Sequence, residues 1–183
     1  MQVDKPVYRN VHQDLVDRCK RSDGEAQQQL YMLYYRNMFN AAKRIVNDAH
    51  TAEDVMQEAF LKAFTRITTY NNTSSFGTWL KRIVINESIN ELRKNRMEYT
   101  FDDSREVEMP ETPTQETPAL SVEQIKQAME GINDRYRTVL SLILLEGYDH
   151  EEVAGILGIS YNNSRVIYMR AKDKLKKILH YEK

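Results

Sequence analysis

The stretch Glu151-Glu152-Val153-Ala154-Gly155-Ile156-Leu157-Gly158-Ile159-Ser160 decides the fold. Its apolar residues recur at helical spacing up to Leu157, and Gly158 then supplies the positive φ that a sharp turn needs. Asp149 with Glu152 forms a capping box at the start, and Ser160 opens a long basic helix that ends near His180. The pattern is a helix-turn-helix. Ala154 is small where two helices cross, while Val153, Leu157 and Ile159 fill the core beneath. His150, in the first turn, reads as a surface residue.

Such a motif offers the N-terminal end of its second helix to base edges in the major groove. Here that end carries Ser160, Tyr161, Asn162, Asn163 and Arg165, with Arg170, Lys172, Lys174, Lys176 and Lys177 placed for phosphates. The competing reading is a helical hairpin with a solvated basic face. Upstream, Ser121 opens a short helix through Met129, and Val139 to Leu145 forms the most apolar helix of the chain, stopped by Gly147.

Between residues 98 and 120 lie Pro110, Pro113 and Pro118, three of the four prolines, and seven acids against Arg105 alone. Nothing there has a helical apolar period. This is an acidic linker, and it divides the chain into residues 1–97 and 121–183. Charge is segregated: residues 160–183 carry seven Lys and Arg against Asp173 and Glu182, although the whole chain has a formal net charge of -1. Such asymmetry implies different partners for different segments.

In the first part a short helix is expected near residues 12–22. A long one follows through Leu30, Leu33, Met38, Ala41, Ala42, Ile45 and Val46, and a second through Val55, Ala59, Phe60, Ala63, Phe64 and Ile67, with Thr51 and Asp54 as its capping box. A third begins near Ser75 and runs to about Arg96. On the second, Asp54, Gln57, Glu58 and Leu61 share one face opposite Phe60 and Phe64. Exposed carboxylates beside an apolar residue suit a basic protein surface, though a solvated face looks the same.

The segment Asn71-Asn72-Thr73-Ser74-Ser75-Phe76 leads into a helix carrying Trp79, Arg82, Asn86, Asn90, Arg93 and Arg96. A polar loop, aromatic rings and spaced cations form a composition that grips single-stranded nucleic acid. In the competing reading, Phe76 and Trp79 are core.

Six Gly and four Pro in 183 residues are too few for the turns of a sandwich or barrel. The fold class is therefore all-α, two small helical domains with the second a helix-turn-helix. One cysteine, Cys19, cannot close a disulfide within the chain, and it shares a helix face with Leu15 and Val16 as a small core residue. With no leader and no long apolar run, a cytoplasmic protein without membrane insertion is expected. His12, His50, His150 and His180 are scattered, so no catalytic site, metal site or cofactor is expected.

The order of these motifs resembles the extracytoplasmic-function (ECF) group of bacterial sigma factors, in the variety common in Bacteroidetes. The resemblance rests on Leu15 to Cys19 with Asp23 to Ala26, Ala52 to Phe64, Phe76 to Leu80 with Ile83 to Asn86, and Glu152 to Ser160 with Arg170-Ala171. It implies a non-enzymatic promoter-recognition subunit whose partners are core RNA polymerase, at its β′ clamp helices and β flap, and promoter DNA. Asp54, Gln57, Glu58 and Leu61 would meet the polymerase. Asn71 to Ser75 with Asn86 would capture a flipped-out base of the minus-10 element, and the helix from Ser160 would read the minus-35 element. The linker would thread the polymerase cleft, and an anti-sigma protein, membrane-bound or not, would hold the factor inactive.

The family commonly has a basic residue and a glycine where Asn71 and Asn72 stand, an apolar residue at Ser164 and a basic one at Ile167. On that comparison Ser164 weakens the packing of the recognition helix, and Ile167 gives up a DNA contact. The rival hypothesis is a helix-turn-helix regulator with a helical sensor or dimerisation domain, which needs neither the acidic face at 54–61 nor the loop at 71–75. A helical adaptor would need no DNA surface at all.

Overall fold

In a computed structural model the chain divides into two compact units, Met1–Asn95 and Arg96–Lys183. The structure describes residues 10–95 and 121–181. The segment 98–120 and Arg96 lie outside them.

The first unit is built from α1 (Gln13–Cys19), α2 (Gly24–Val46), α3 (Ala49–Thr65) and α4 (Phe76–Asn95), with a 3-10 turn at Ile67–Thr69. The α1–α2 corner is set by one carboxylate. Asp23 accepts from the backbone N–H groups of Glu25 and Ala26 at 3.0 and 3.1 Å and from Arg18 Nε at 2.7 Å. The Arg18 hydrogen bond, ahead of the backbone ones, holds its pKa below the usual carboxylate range. Val16, Leu30, Met56, Phe76, Leu80 and Val84 pack into one core. Cys19 belongs to it, and burial pushes its thiol up to about 11, which suits packing rather than reactivity.

Two expectations are corrected in this unit. Leu33 is 49% exposed, because its position on α2 faces away from the stripe of Leu30, Met38, Ala41 and Ile45. The cap of α3 is Asp48 rather than Thr51: the Asp48 carboxylate accepts from both the backbone N–H and the hydroxyl of Thr51, each at 2.7 Å. An earlier acid with its carboxylate free to fold back fills the N-terminal donors first.

The second unit comprises α5 (Val122–Glu130), α6 (Asp134–Leu140), a π-helical turn (Ser141–Leu145), α7 (His150–Leu157) and α8 (Tyr161–Tyr181). The apolar helix expected from Val139 thus begins earlier, capped by Asn133, and its last turn widens. That widening leaves Leu144 44% exposed. Ser121 and Asp149 both complete capping boxes, with Gln124 and Glu152. Gly158 adopts φ +68, a conformation that side chains with a Cβ resist. Arg137, 3% exposed, pairs with Asp134 and donates to the carbonyl of Ile132 at 2.8 Å, so the buried charge is paired by groups at and just before the start of α6. Among the described residues no helix is long and apolar enough to cross a membrane.

Replacing Asp149 by Ala removes the carboxylate that accepts from the Glu151 and Glu152 N–H groups at the start of α7, and about 1 kcal/mol of unfolding free energy should be lost. Urea denaturation of the full chain followed by a C-terminal probe checks this; an unchanged midpoint would show that the cap contributes nothing.

Candidate protein-docking and nucleic-acid surfaces

Three exposed surfaces carry the residues singled out above. On α3 the buried stripe is Val55, Met56, Ala59, Phe60 and Ala63, which leaves Asp54, Gln57, Glu58 and Leu61 on the solvent side. Leu61 is 63% exposed, an apolar residue set among carboxylates. Asp54 lies 3.2 Å from His50, and Glu58 lies 3.3 Å from Lys62. Lys62 also reaches across to Glu87 of α4 at 2.6 Å, and that hydrogen bond is the main reason its pKa is raised. Lys62 and Glu87 were invisible to spacing on a single helix, because the bridge joins two.

The second surface is the α3–α4 loop and the outer stripe of α4. Tyr70 Oη donates to the carbonyl of Ser74 at 2.6 Å and closes the loop, while Lys20 Nζ donates to the Tyr70 carbonyl at 3.2 Å from the α1–α2 corner. Within the loop, Asn71 Oδ1 accepts from the backbone N–H and hydroxyl of Thr73 at 3.3 and 2.8 Å, and Asn72 sits at φ +59. Asn tolerates that region better than most residues. Ser75 Oγ accepts from the Thr78 N–H at 3.0 Å, so its hydroxyl is the cap of α4. Gly77 has no room for a Cβ, which would come within 2.8 Å of the Tyr34 ring.

Phe76 is fully buried, its ring against Tyr34, Tyr70 and Trp79. It supports the loop from beneath and offers no face to a base. Trp79 is half-buried, packed on Tyr70 and Phe76. Beyond it Thr78, Arg82, Asn86, Asn90 and Arg93 are all exposed at steps of three and four, a single polar and cationic stripe leading away from the loop. Arg96, assigned to the same stripe, lies outside the described residues.

The third surface is the front of α8. Ser160 Oγ accepts from the Asn163 N–H at 3.1 Å. Tyr161, Asn162 and Arg165 are exposed, with the Arg165 guanidinium 6.0 Å from the Tyr161 ring centre; Asn163 is half-buried, Arg170 half-buried and Lys174 exposed. Ile159 is only half-buried, so Val153 and Leu157 carry the core beneath the turn.

The structure overturns three readings here. Ile167 is 1% exposed: it is a core residue of this helix, turned inward rather than toward DNA. Ser164 is also fully buried, yet its packing is compensated, because its Oγ lies 3.0 Å from His150 Nδ1. His150 is accordingly no surface residue. It is half-buried between Tyr161 and Tyr168, edge to face at ring-centre distances of 6.1 and 5.3 Å. Burial, and after it Arg165, pushes its pKa below the ordinary value.

Comparison with known proteins places these surfaces in a family context. Residues 30–98 match the family described as Sigma-70 region 2, and residues 122–175 match Sigma-70, region 4. The RNA polymerase sigma-H factor of Pseudomonas aeruginosa is 31% identical over 181 residues, covering 91% of this chain and 93% of that one. The ECF RNA polymerase sigma factor SigM of Bacillus subtilis is 30% identical, covering 81% of this chain and 91% of its own. In fold the chain is similar to the sigma factor RpoE bound to the anti-sigma factor NepR from Bartonella quintana, with TM-score 0.57, 22% identity and coverage of 85% and 98%. It is equally similar to CnrH in complex with the cytosolic domain of CnrY, with TM-score 0.57, 20% identity and coverage of 94% and 99%.

The half-buried imidazole gives the C-terminal unit a pH dependence of definite sign. Its folded pKa lies below the unfolded value of about 6.5, so the neutral form is the one the fold accommodates. The associated stability is present above about pH 6.5 and is lost as the pH falls from there through the folded pKa. Denaturant titrations between pH 7.5 and 5 should show the native chain losing more stability than His150→Gln; equal losses would mean that the ring titrates as it does in water.

Proposed function

The chain belongs to the sigma-70 family, in its ECF group of RNA polymerase sigma factors, and from that premise we propose which of its surfaces performs which step. A sigma factor binds core polymerase, recognises promoter DNA and helps to open it. Residues 1–97 serve as the polymerase and minus-10 domain, and residues 121–183 as the minus-35 domain. The outer face of α3 docks on core polymerase through Asp54, Gln57, Glu58 and Leu61. The loop 71–75 and the α4 stripe take up a flipped base and the strand that carries it, and the tip of α8 reads the upstream element.

The observation that carries this reading is the coexistence of two surfaces in one small unit. The α3 face is acidic with an exposed leucine, which suits a basic protein groove with an apolar floor. The α4 stripe alternates neutral polar and cationic side chains, which suits a nucleic-acid strand. An ordinary helix-turn-helix regulator needs neither. All of this is binding, not catalysis: unstacking a base costs a few kcal/mol, and a protein without nucleotide hydrolysis meets that by holding the open form more tightly than the duplex. By analogy with the two complexes named above, an anti-sigma protein competes for these faces, and the factor works in the cytoplasm with its polymerase.

Adding the purified chain to core polymerase should confer initiation at promoters the core alone ignores; no added initiation would refute the reading. Asp54→Lys and Leu61→Glu should each weaken polymerase binding at least tenfold, because a reversed or buried charge harms a complementary interface. Circular dichroism should stay native, since both positions are solvent-facing; unchanged affinity in a pull-down would move the docking face elsewhere.

Replacing Asn71 to Ser74 by Gly and Ser residues, with Ser75 kept as the α4 cap, tests the loop. Polymerase binding and upstream contacts should persist, whereas permanganate-reactive thymines in the minus-10 region should disappear. Normal opening by that variant would mean that the loop only connects α3 to α4.

A further inference from the structure

Three side chains of α8 point at one side chain of α7. Tyr161, Ser164 and Tyr168 follow each other at steps of three and four, so they form one stripe, and His150 touches all of them. The outward residues Asn162 and Arg165 sit one position further round the same helix. A roll of α8 by a fraction of its 100° residue step would therefore swing Arg165 away from whatever it faces. Apolar packing around Ile167 and Ala171 decides which face of the helix is buried but discriminates poorly between small changes of roll, because the hydrophobic effect is not directional. A hydrogen bond is directional. His150 Nδ1 and Ser164 Oγ, 3.0 Å apart and with Ser164 fully buried, supply such a contact between the side chains of α7 and α8.

We propose that the His150–Ser164 pair is a positioning device for promoter discrimination: it sets the roll of α8, and through Tyr161 the placement of Arg165, and so decides how sharply the upstream element is distinguished from near matches. Neither residue touches DNA. Tyr161 links the two levels, since its ring packs edge to face with His150 and its centre lies 6.0 Å from the Arg165 guanidinium. The inference rests on the reading of the α8 tip as the surface that meets base edges.

The test uses holoenzyme, assembled from core polymerase and full-length chain, on a promoter library randomised in the upstream element. The readout is the ratio of binding between the preferred sequence and its single-base variants. Arg165→Ala is the reference and should lower that ratio at particular positions. His150→Ala and Ser164→Ala should each lower it about fivefold, the loss expected for one ordinary hydrogen bond, and the double variant should lose no more than either single. His150→Asn, whose amide occupies the place of the proximal half of the ring, should restore most of the discrimination; a role confined to ring packing would not be restored by it.

If Arg165→Ala leaves the ratio unchanged, the reading of the α8 tip is wrong. If Arg165→Ala lowers it while the His150 and Ser164 variants stay within twofold of the native chain, or if their effects multiply in the double variant, the positioning role is overturned. Chain melting temperatures measured alongside separate loss of roll from loss of fold: a variant that unfolds lowers binding to all sequences, and Asn at position 150 then supplies the decisive comparison.

Discussion

An α-helix turns through about 100° per residue, and a bundle only two helices thick can bury one stripe of each. Everything the chain offers to a partner follows from where that stripe falls. On α4 Phe76, Leu80, Val84, Ile85, Ile89 and Leu92 are taken into the core, so Thr78, Arg82, Asn86 and Arg93 must face water. On α8 Ser164, Ile167, Ala171 and Leu175 are buried, which turns Asn162 and Arg165 outward. On α3 the same division exposes Asp54 and Leu61. The surfaces are not additions to the fold; they are its remainder.

Because one residue of slippage would rotate each surface by a quarter turn or more, the helix starts matter as much as the cores. The starts of α2, α3, α4, α7 and α8 are held by side chains in the loops before them: Asp23, Asp48, Ser75, Asp149 and Ser160 each accept from the first turn of the helix that follows. Capping hydrogen bonds contribute only about 1 kcal/mol apiece, but they fix register as well as stability. Gly77 works to the same end by letting the first turn of α4 lie against Tyr34 closer than any side chain would permit.

Properties that depend on one helix at a time were legible from the chain. The apolar periods of α2 and α3, the caps at Ser121 and Asp149, the turn at Gly158 and the exposed quartet on α3 all express local spacing. Properties that depend on two helices were not. Ser164 read as a packing defect and His150 as surface because their partnership spans 14 residues, and periodicity carries no information about which side chains meet. Ile167 was placed toward DNA by family comparison, although its own spacing from Ser164 and Ala171 assigns it to the buried stripe. Leu33 and Ile159 erred in the opposite direction, since an apolar residue near a helical period need not be on it. Phe76 was ambiguous for a physical reason: an aromatic at a loop–helix junction can cap a core or receive a base, and only the rings around it decide.

Charge sets how these surfaces must cooperate. With a net charge of -1 overall, and with seven acids between residues 98 and 120, the chain has no long-range attraction for DNA of the kind that basic proteins rely on. The cations proposed to meet DNA form short stripes, a few on α4 and the rest along α8. Each stripe alone reaches few phosphates, and affinity that rests on few phosphate contacts is weak at physiological salt. Two weak sites joined in one molecule, and held at a fixed spacing by a shared platform, gain from each other's effective concentration without any new contact. Core polymerase, docked through α3, would be that platform. On that proposal the factor would bind promoter DNA appreciably only when polymerase is present, and the negative charge of segment 98–120 would sharpen the same requirement by opposing DNA that engages one unit alone.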